Sequence, residues 1–224
     1  MKPIAIVLAG LAFLGAAGAA AQDLPPLDQE RVQSRALPDR LDQVQAYLNR
    51  IDTLKADFVQ RAPSGDVARG TLSLEKPGRL RFDYGEALPV LIVSDGQTLT
   101  FVDYDVGQVT RWPVQETPLG VLVGRDIDFN SDELSVVAQP GTLPHLTVVT
   151  AFLPDHEDMG TIEMTFSDQG EAGLTLLGWE AIDVQGYVTR IALEGIETGV
   201  RFDDETWAFE DPRRLPAQRR RRGR

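Results

Sequence analysis

The 224-residue chain contains no cysteine, and its composition of 42% hydrophobic, 7% aromatic and 25% charged residues is that of a globular protein, not of a disordered or fibrous one. The missing cysteine excludes a disulfide framework, a thiolate metal site, a cysteine nucleophile and a lipid anchor on an N-terminal cysteine. The net charge of −12 is unevenly spread: between Gln22 and Pro212, 14 basic residues face 34 acidic ones, a net of −20 that repels phosphate backbones and speaks against nucleic-acid binding by the body.

In chain order, Met1-Lys2-Pro3 is followed by an apolar run from Ile4 to Ala20, and Ala19-Ala20-Ala21 offers small residues for cleavage before Gln22. Residues 1–21 therefore read as a secretory signal peptide, and export without cysteine suits a bacterial periplasm. Residues 22–37 are polar, contain Pro25-Pro26 and read as a linker. From Pro38, the apolar residues Leu41, Val44, Tyr47, Leu48, Ile51 and Leu54 recur at spacings of three and four, which predicts an amphipathic helix.

After Pro63-Ser64-Gly65 the pattern changes to short alternating segments divided by turn residues. Leu72 and Leu74, then Leu80, Phe82 and Tyr84, alternate with polar neighbours, and Asp95-Gly96 between two apolar runs is a hairpin signal. Further strands are expected near 107–114, 134–139, 145–152, 161–167, 173–184, 187–199 and 205–209. Thr117-Pro118-Leu119-Gly120-Val121-Leu122-Val123-Gly124 interrupts them as a short helix with Thr117 as N-cap. Its apolar residues surround the axis, so it must be covered or line an apolar space. The fold class is mainly β with helices (α+β), with about ten or eleven antiparallel strands in one domain over 38–212, curled to bury one face. Residues 213–224 form an arginine-rich tail. It reads either as a solvated extension or as an electrostatic contact to anionic headgroups.

Thr53 to Gln60, Gly70 to Tyr84, Val93 to Leu99, the apolar Thr117-Pro118 helix and Gly178 to Gly186 resemble, in that order, segments of the LolA family of periplasmic outer-membrane lipoprotein carriers. The resemblance implies an incomplete antiparallel β-barrel with a helical lid over an apolar cavity. It implies a monomeric carrier, not an enzyme, without cofactor or metal. Its partners would be acylated lipoproteins, an inner-membrane lipoprotein-releasing ABC transporter and an outer-membrane lipoprotein acceptor. The chemistry agrees: each buried methylene contributes about 0.8 kcal/mol, so several acyl chains cross water only when shielded. The expected cavity wall is Phe58, Leu72, Leu74, Leu80, Phe82, Leu91, Val93, Leu99 and Phe101, and the lid Leu48, Ile51, Leu119, Val121, Leu122 and Val123. Lys76 stands where the family carries an arginine before proline. It is the candidate lid latch, with one compact ammonium in place of a planar fork. Alternation points Arg79 and Arg81 away from the Leu80 and Phe82 face.

Alternation alone does not separate a filled barrel from an empty one. The competing function is a related half-barrel that carries another lipid or glycolipid, or senses envelope lipoproteins. Asp155-His156-Glu157-Asp158 has metal-compatible side chains but lies in a polar loop without ligand spacing, Ser-His-Asp chemistry has no nucleophile-elbow sequence to start from, and no one pair of the many carboxylates is marked out for a two-carboxylate hydrolase.

Overall fold

The computed structural model describes residues 38–114, 117, 119–170 and 173–213. The expected signal peptide, the linker 22–37, Pro118 and tail residues 214–224 lie outside them. Helix α1 (Pro38–Arg50) precedes β1 (Thr53–Arg61), β2 (Val67–Glu75), β3 (Arg79–Asp83), β4 (Val90–Asp95), β5 (Thr98–Asp103) and β6 (Gln108–Pro113). Helix α2 (Gly120–Val123) then leads to β7 (Ser135–Pro140), β8 (Leu146–Phe152), β9 (Thr161–Asp168), β10 (Leu174–Ile182) and β11 (Val188–Thr198). Among the described residues, the 3-10 segments Pro154–Met159, kinked at His156, and Asp204–Trp207 complete the elements.

All eleven strands form one antiparallel sheet ordered β6-β5-β4-β3-β2-β1-β11-β10-β9-β8-β7. The chain steps outward from β1 to the β6 edge, crosses to the β7 edge through residues 114–134, and steps back until β11 pairs with β1. The sheet is open, with β6 and β7 as its two edges.

It is also strongly curled. Phe82 on β3 and Trp179 on β10 are four strand steps apart, about 19 Å if the sheet were flat, yet their rings meet edge-to-face at 6.0 Å. Inner-face residues from both halves consequently share one core: Phe58, Leu80 and Leu99 with Val149, Met164 and Phe166. Helix α1 covers it with Val44, Tyr47 and Leu48, each worth about 1.5–3 kcal/mol on full burial. Tyr47 packs edge-to-face on Phe166 at 5.7 Å, and its hydroxyl oxygen accepts from the Leu176 N–H at 3.1 Å.

Three expectations need correction. The first helix ends at Arg50, so Ile51 follows it and Leu54 belongs to β1. Helical and strand spacing coincide here, because both put Leu54 on the buried side. Thr117 does not cap α2; its hydroxyl donates to the Val114 carbonyl at 2.7 Å, and the helix begins later, at Gly120. The expected strand at 205–209 is instead the 3-10 helix Asp204–Trp207. The Asp203 carboxylate accepts from the Thr206 N–H at 3.0 Å and from its hydroxyl at 2.9 Å, which closes a helical turn that apolar alternation does not announce.

Candidate lipid-binding interior

Between the sheet's inner face and α2, one wholly apolar space is lined by Leu54, Leu72, Leu74, Leu80, Phe82, Leu119, Leu122, Val123, Leu176, Trp179 and Leu193. Its volume is about 20 Å³, the room of a single water-sized sphere. The interior is therefore filled by its own side chains, not an open cavity. A larger groove of about 560 Å³ lies between α1 and the β9–β10 turn, but Arg40, Arg50 and Asp168 line it, so it offers charge where a hydrocarbon needs none.

Of the nine expected wall residues, Leu72, Leu74, Leu80 and Phe82 line this space directly. Phe58 and Leu99 belong to the same core, and Phe101 packs against it half-buried. Phe58 meets Phe82 at 5.2 Å and Tyr84 at 5.1 Å, both edge-to-face, and the Tyr84 hydroxyl donates to Gln60 Oε1 at 2.6 Å. Leu91 and Val93 are on the opposite face, in a second core with Val102, Tyr104, Val109 and Phe209. The β3–β4 register explains this: Phe82 pairs with Ile92, so Val90 and Ile92 face inward and Leu91 and Val93 outward. The run Val90-Leu91-Ile92-Val93 is buried on both faces, which erases the alternation that would have set its phase.

The expected lid residues Leu119, Val121, Leu122 and Val123 are all buried, as are Leu48 and Ile51. The turn between β2 and β3 touches both helical segments. Lys76 Nζ donates to the Leu48 carbonyl at 2.7 Å, a last-turn acceptor of α1, and the Gly78 N–H donates to the Val123 carbonyl at 2.8 Å, at the end of α2. Gly78 has φ +77°, and a side chain there would run into the Gly96 carbonyl of the neighbouring turn, so glycine lets this turn reach α2. Burial pulls the Lys76 ammonium down from its usual 10.5 to about 8, against the opposing pull of Asp52 and Asp126. A second polar seam joins α1 to the segment after α2. Asn49 donates to the Ile127 carbonyl at 2.8 Å and accepts from its N–H at 2.9 Å, while Gln45 Oε1 accepts from the Phe129 N–H at 2.7 Å.

Residues 49–210 match the family model described as outer membrane lipoprotein carrier protein LolA. The chain belongs to the LolA family. This is a family of transport proteins, not of enzymes. An outer-membrane lipoprotein carrier protein of Legionella pneumophila (strain Corby) is 31% identical over 179 residues, covering 76% of this chain and 85% of the relative. One from Methylibium petroleiphilum is 28% identical over 183 residues, covering 78% and 86%. Among solved structures, a LolA superfamily protein from Nitrosomonas europaea aligns with 11% identity and a TM-score of 0.42, covering 78% of this chain and 98% of that one.

The sequence pattern places Leu54 on a helix face instead of the sheet wall, and it does not single out Leu176, Trp179 and Leu193 as interior residues, or Gln45 and Asn49 as the α1 seam. Trp179 was the accessible one. The β9–β10 register shifts between Leu176 and Gly178, which turns Leu177 outward and lets both Leu176 and Trp179 face inward. Gly178 holds φ +150°, and a side chain there would strike the Ile191 carbonyl. An isolated glycine before an aromatic inside a strand is the signal of such a bulge. His145 and His156 are exposed, and among the described residues no group of three or more metal-compatible side chains converges.

Proposed function

We propose that this LolA-family member is a periplasmic carrier that shields the acyl chains of lipoproteins and moves them from an inner-membrane ABC transporter to an acceptor at the outer membrane. One observation carries the reading: the interior between the curled sheet and α2 is lined only by hydrocarbon and aromatic side chains. Such a wall offers area and no directional polar contact, which suits cargo recognised by its chains and released again. With about 20 Å³ free, loading requires α2 to leave its seat and the side chains beneath it to part. In this reading α2 and the end of α1 are the lid. Leu72, Leu74, Leu80, Phe82, Leu119, Leu122 and Trp179 meet the acyl chains, and Lys76 latches.

The test is native mass spectrometry of the protein recovered from a bacterial periplasm after co-expression with a tagged lipoprotein. A one-to-one complex formed only with the acylated form supports the carrier reading. A different co-purifying lipid, with no lipoprotein complex, would keep the interior as a binding site and assign it another cargo.

A further inference from the structure

Four inner-face rings form a continuous chain across the interior from β10 to β3. Trp179 meets Phe82 at 6.0 Å, Phe82 meets Phe58 of β1 at 5.2 Å, and Phe58 meets Tyr84 at 5.1 Å, each pair edge-to-face. Phe82 and Trp179 line the apolar space beneath α2, whereas Phe58 and Tyr84 stand behind them outside its lining. Depth follows from the strands. β3 leaves the turn whose Gly78 holds α2, so Leu80, Phe82 and Tyr84 lie successively farther from that helix, and the β1–β2 register orders Leu54, Phe58 and Gln60 the same way. Past the rings the inner face carries buried polar groups. Gln60 and Thr189 are buried there, and the Tyr84 hydroxyl donates to Gln60 Oε1 at 2.6 Å.

We propose that these four rings are a stop that sets the length of acyl chain the interior accepts, with Phe58 as its fixed member. The inference rests on the carrier reading and names the specificity of that same interior. A chain enters most cheaply beside α2, where one backbone bond and apolar contacts must part, and it then meets the rings end-on. The rings do not yield as easily. Phe58 packs so closely on Gly70 that even a Cβ at that glycine would come within 2.8 Å of its ring, and Tyr84 is tied to Gln60. Pushing hydrocarbon past them breaks a buried hydrogen bond and sets the Gln60 amide against a methyl end, which costs more than the next methylene returns. Before the stop, each added methylene is buried and tightens binding about fourfold. At the stop the gain ends, because further methylenes remain in water at the mouth.

The probes are water-soluble tetrapeptides, each carrying one saturated N-acyl chain, in a series of increasing chain length. They are titrated calorimetrically into protein recovered from a periplasm. We expect affinity to rise about fourfold per methylene up to a break and to stay level beyond it. Phe58→Leu removes the ring at the centre of the stop, so the first chain past the original break should then bind about fourfold tighter than the chain before it. Leu74→Val, on the wall at the α2 end, should change affinity equally at every length and leave the break in place, which separates a stop from general loosening of the core. Should Phe58→Leu fail to fold, Tyr84→Phe decides: it keeps all four rings, removes only the bond to Gln60, and should also move the break to longer chains. A break at the same length in the variant that folds, or no break in the unaltered chain, overturns the stop while leaving the carrier reading intact. Absence of binding at every length overturns the carrier reading and the stop with it.

Discussion

At residue scale, Lys76 couples the interior to pH. Its ammonium is held to about 8 in the folded chain, whereas a solvated lysine keeps its proton to 10.5. Between those values the unfolded state binds more protons than the folded one, so this group adds stability as pH rises from 8 to 10.5 and adds none below 8. Buried tyrosines act oppositely: burial raises Tyr84, so unfolding is favoured once solvated tyrosines ionise above 10. The lysine contribution is therefore read by difference. In Lys76→Gln, the urea midpoint measured from pH 7 to 10.5 should lack the rise that the unaltered chain shows relative to it; parallel curves would mean that Lys76 is solvated. Lys76→Leu removes the donor to Leu48, and in a transfer assay it should change cargo release several-fold while leaving uptake unchanged. Trp179 sets the volume. Trp179→Ala should cost about 3–5 kcal/mol in urea unfolding, as large-to-small core changes do. The milder Trp179→Phe should bind an apolar fluorescent probe more strongly than the unaltered chain; unchanged probe binding would show that the indole does not limit the space.

At element scale, the molecule divides into a well-tied sheet and two lightly tied coverings. The C-terminal strap over residues 199–213 is held by Arg79 against the Trp207 ring and by Arg81 on the Thr206 and Ala208 carbonyls, and the Trp207 Nε1–H is buried without an acceptor among the described residues, a cost set against the burial of its ring. Trp207→Ala should loosen the strap before it melts the sheet. Trypsin would then cut rapidly after Arg201 while the far-ultraviolet circular dichroism stays that of a β-protein. A cut no faster than in the unaltered chain would place the hold in Arg81 and Phe209 instead. The same division governs what could be read in advance. The strands were legible where one face is buried and the other wet, as in Arg79–Asp83, with alternating inner residues Leu80 and Phe82. Val90–Asp95 was legible as a strand but not in phase, because the strap buries its outer face and no local pattern says so. Asp204–Trp207 was misread because one side chain, that of Asp203 with its two bonds from Thr206, decides its turn.

At the scale of the whole molecule, the apolar interior was legible as a wall but not as a volume. Leu72, Leu74, Leu80 and Phe82 stand on one side, yet Trp179 and Leu176 arrive from four strands away through curl and a bulge, and these fill the space. A carrier with a filled interior must store its opening in a part that moves cheaply. Sheet strands are costly to move, because each inner one carries ladder bonds to two neighbours; α2 is one turn of helix whose ties to the sheet, among the described residues, are the Gly78 to Val123 bond and its apolar contacts. Opening should therefore be local, with a free energy well below that of global unfolding. Hydrogen exchange gives the measure. Without cargo, the Gly124 and Val123 amides should exchange at least about a hundredfold faster than those of Met164 and Phe166 on β9. Adding an acylated lipopeptide should change exchange at α2 and at the Lys76 to Gly78 turn while leaving β9 unaltered, because those are the parts that must part to admit a chain. Protection at α2 equal to that of β9, or cargo-induced exchange spread over the whole sheet, would mean that the sheet itself opens and that α2 is a fixed part of the core.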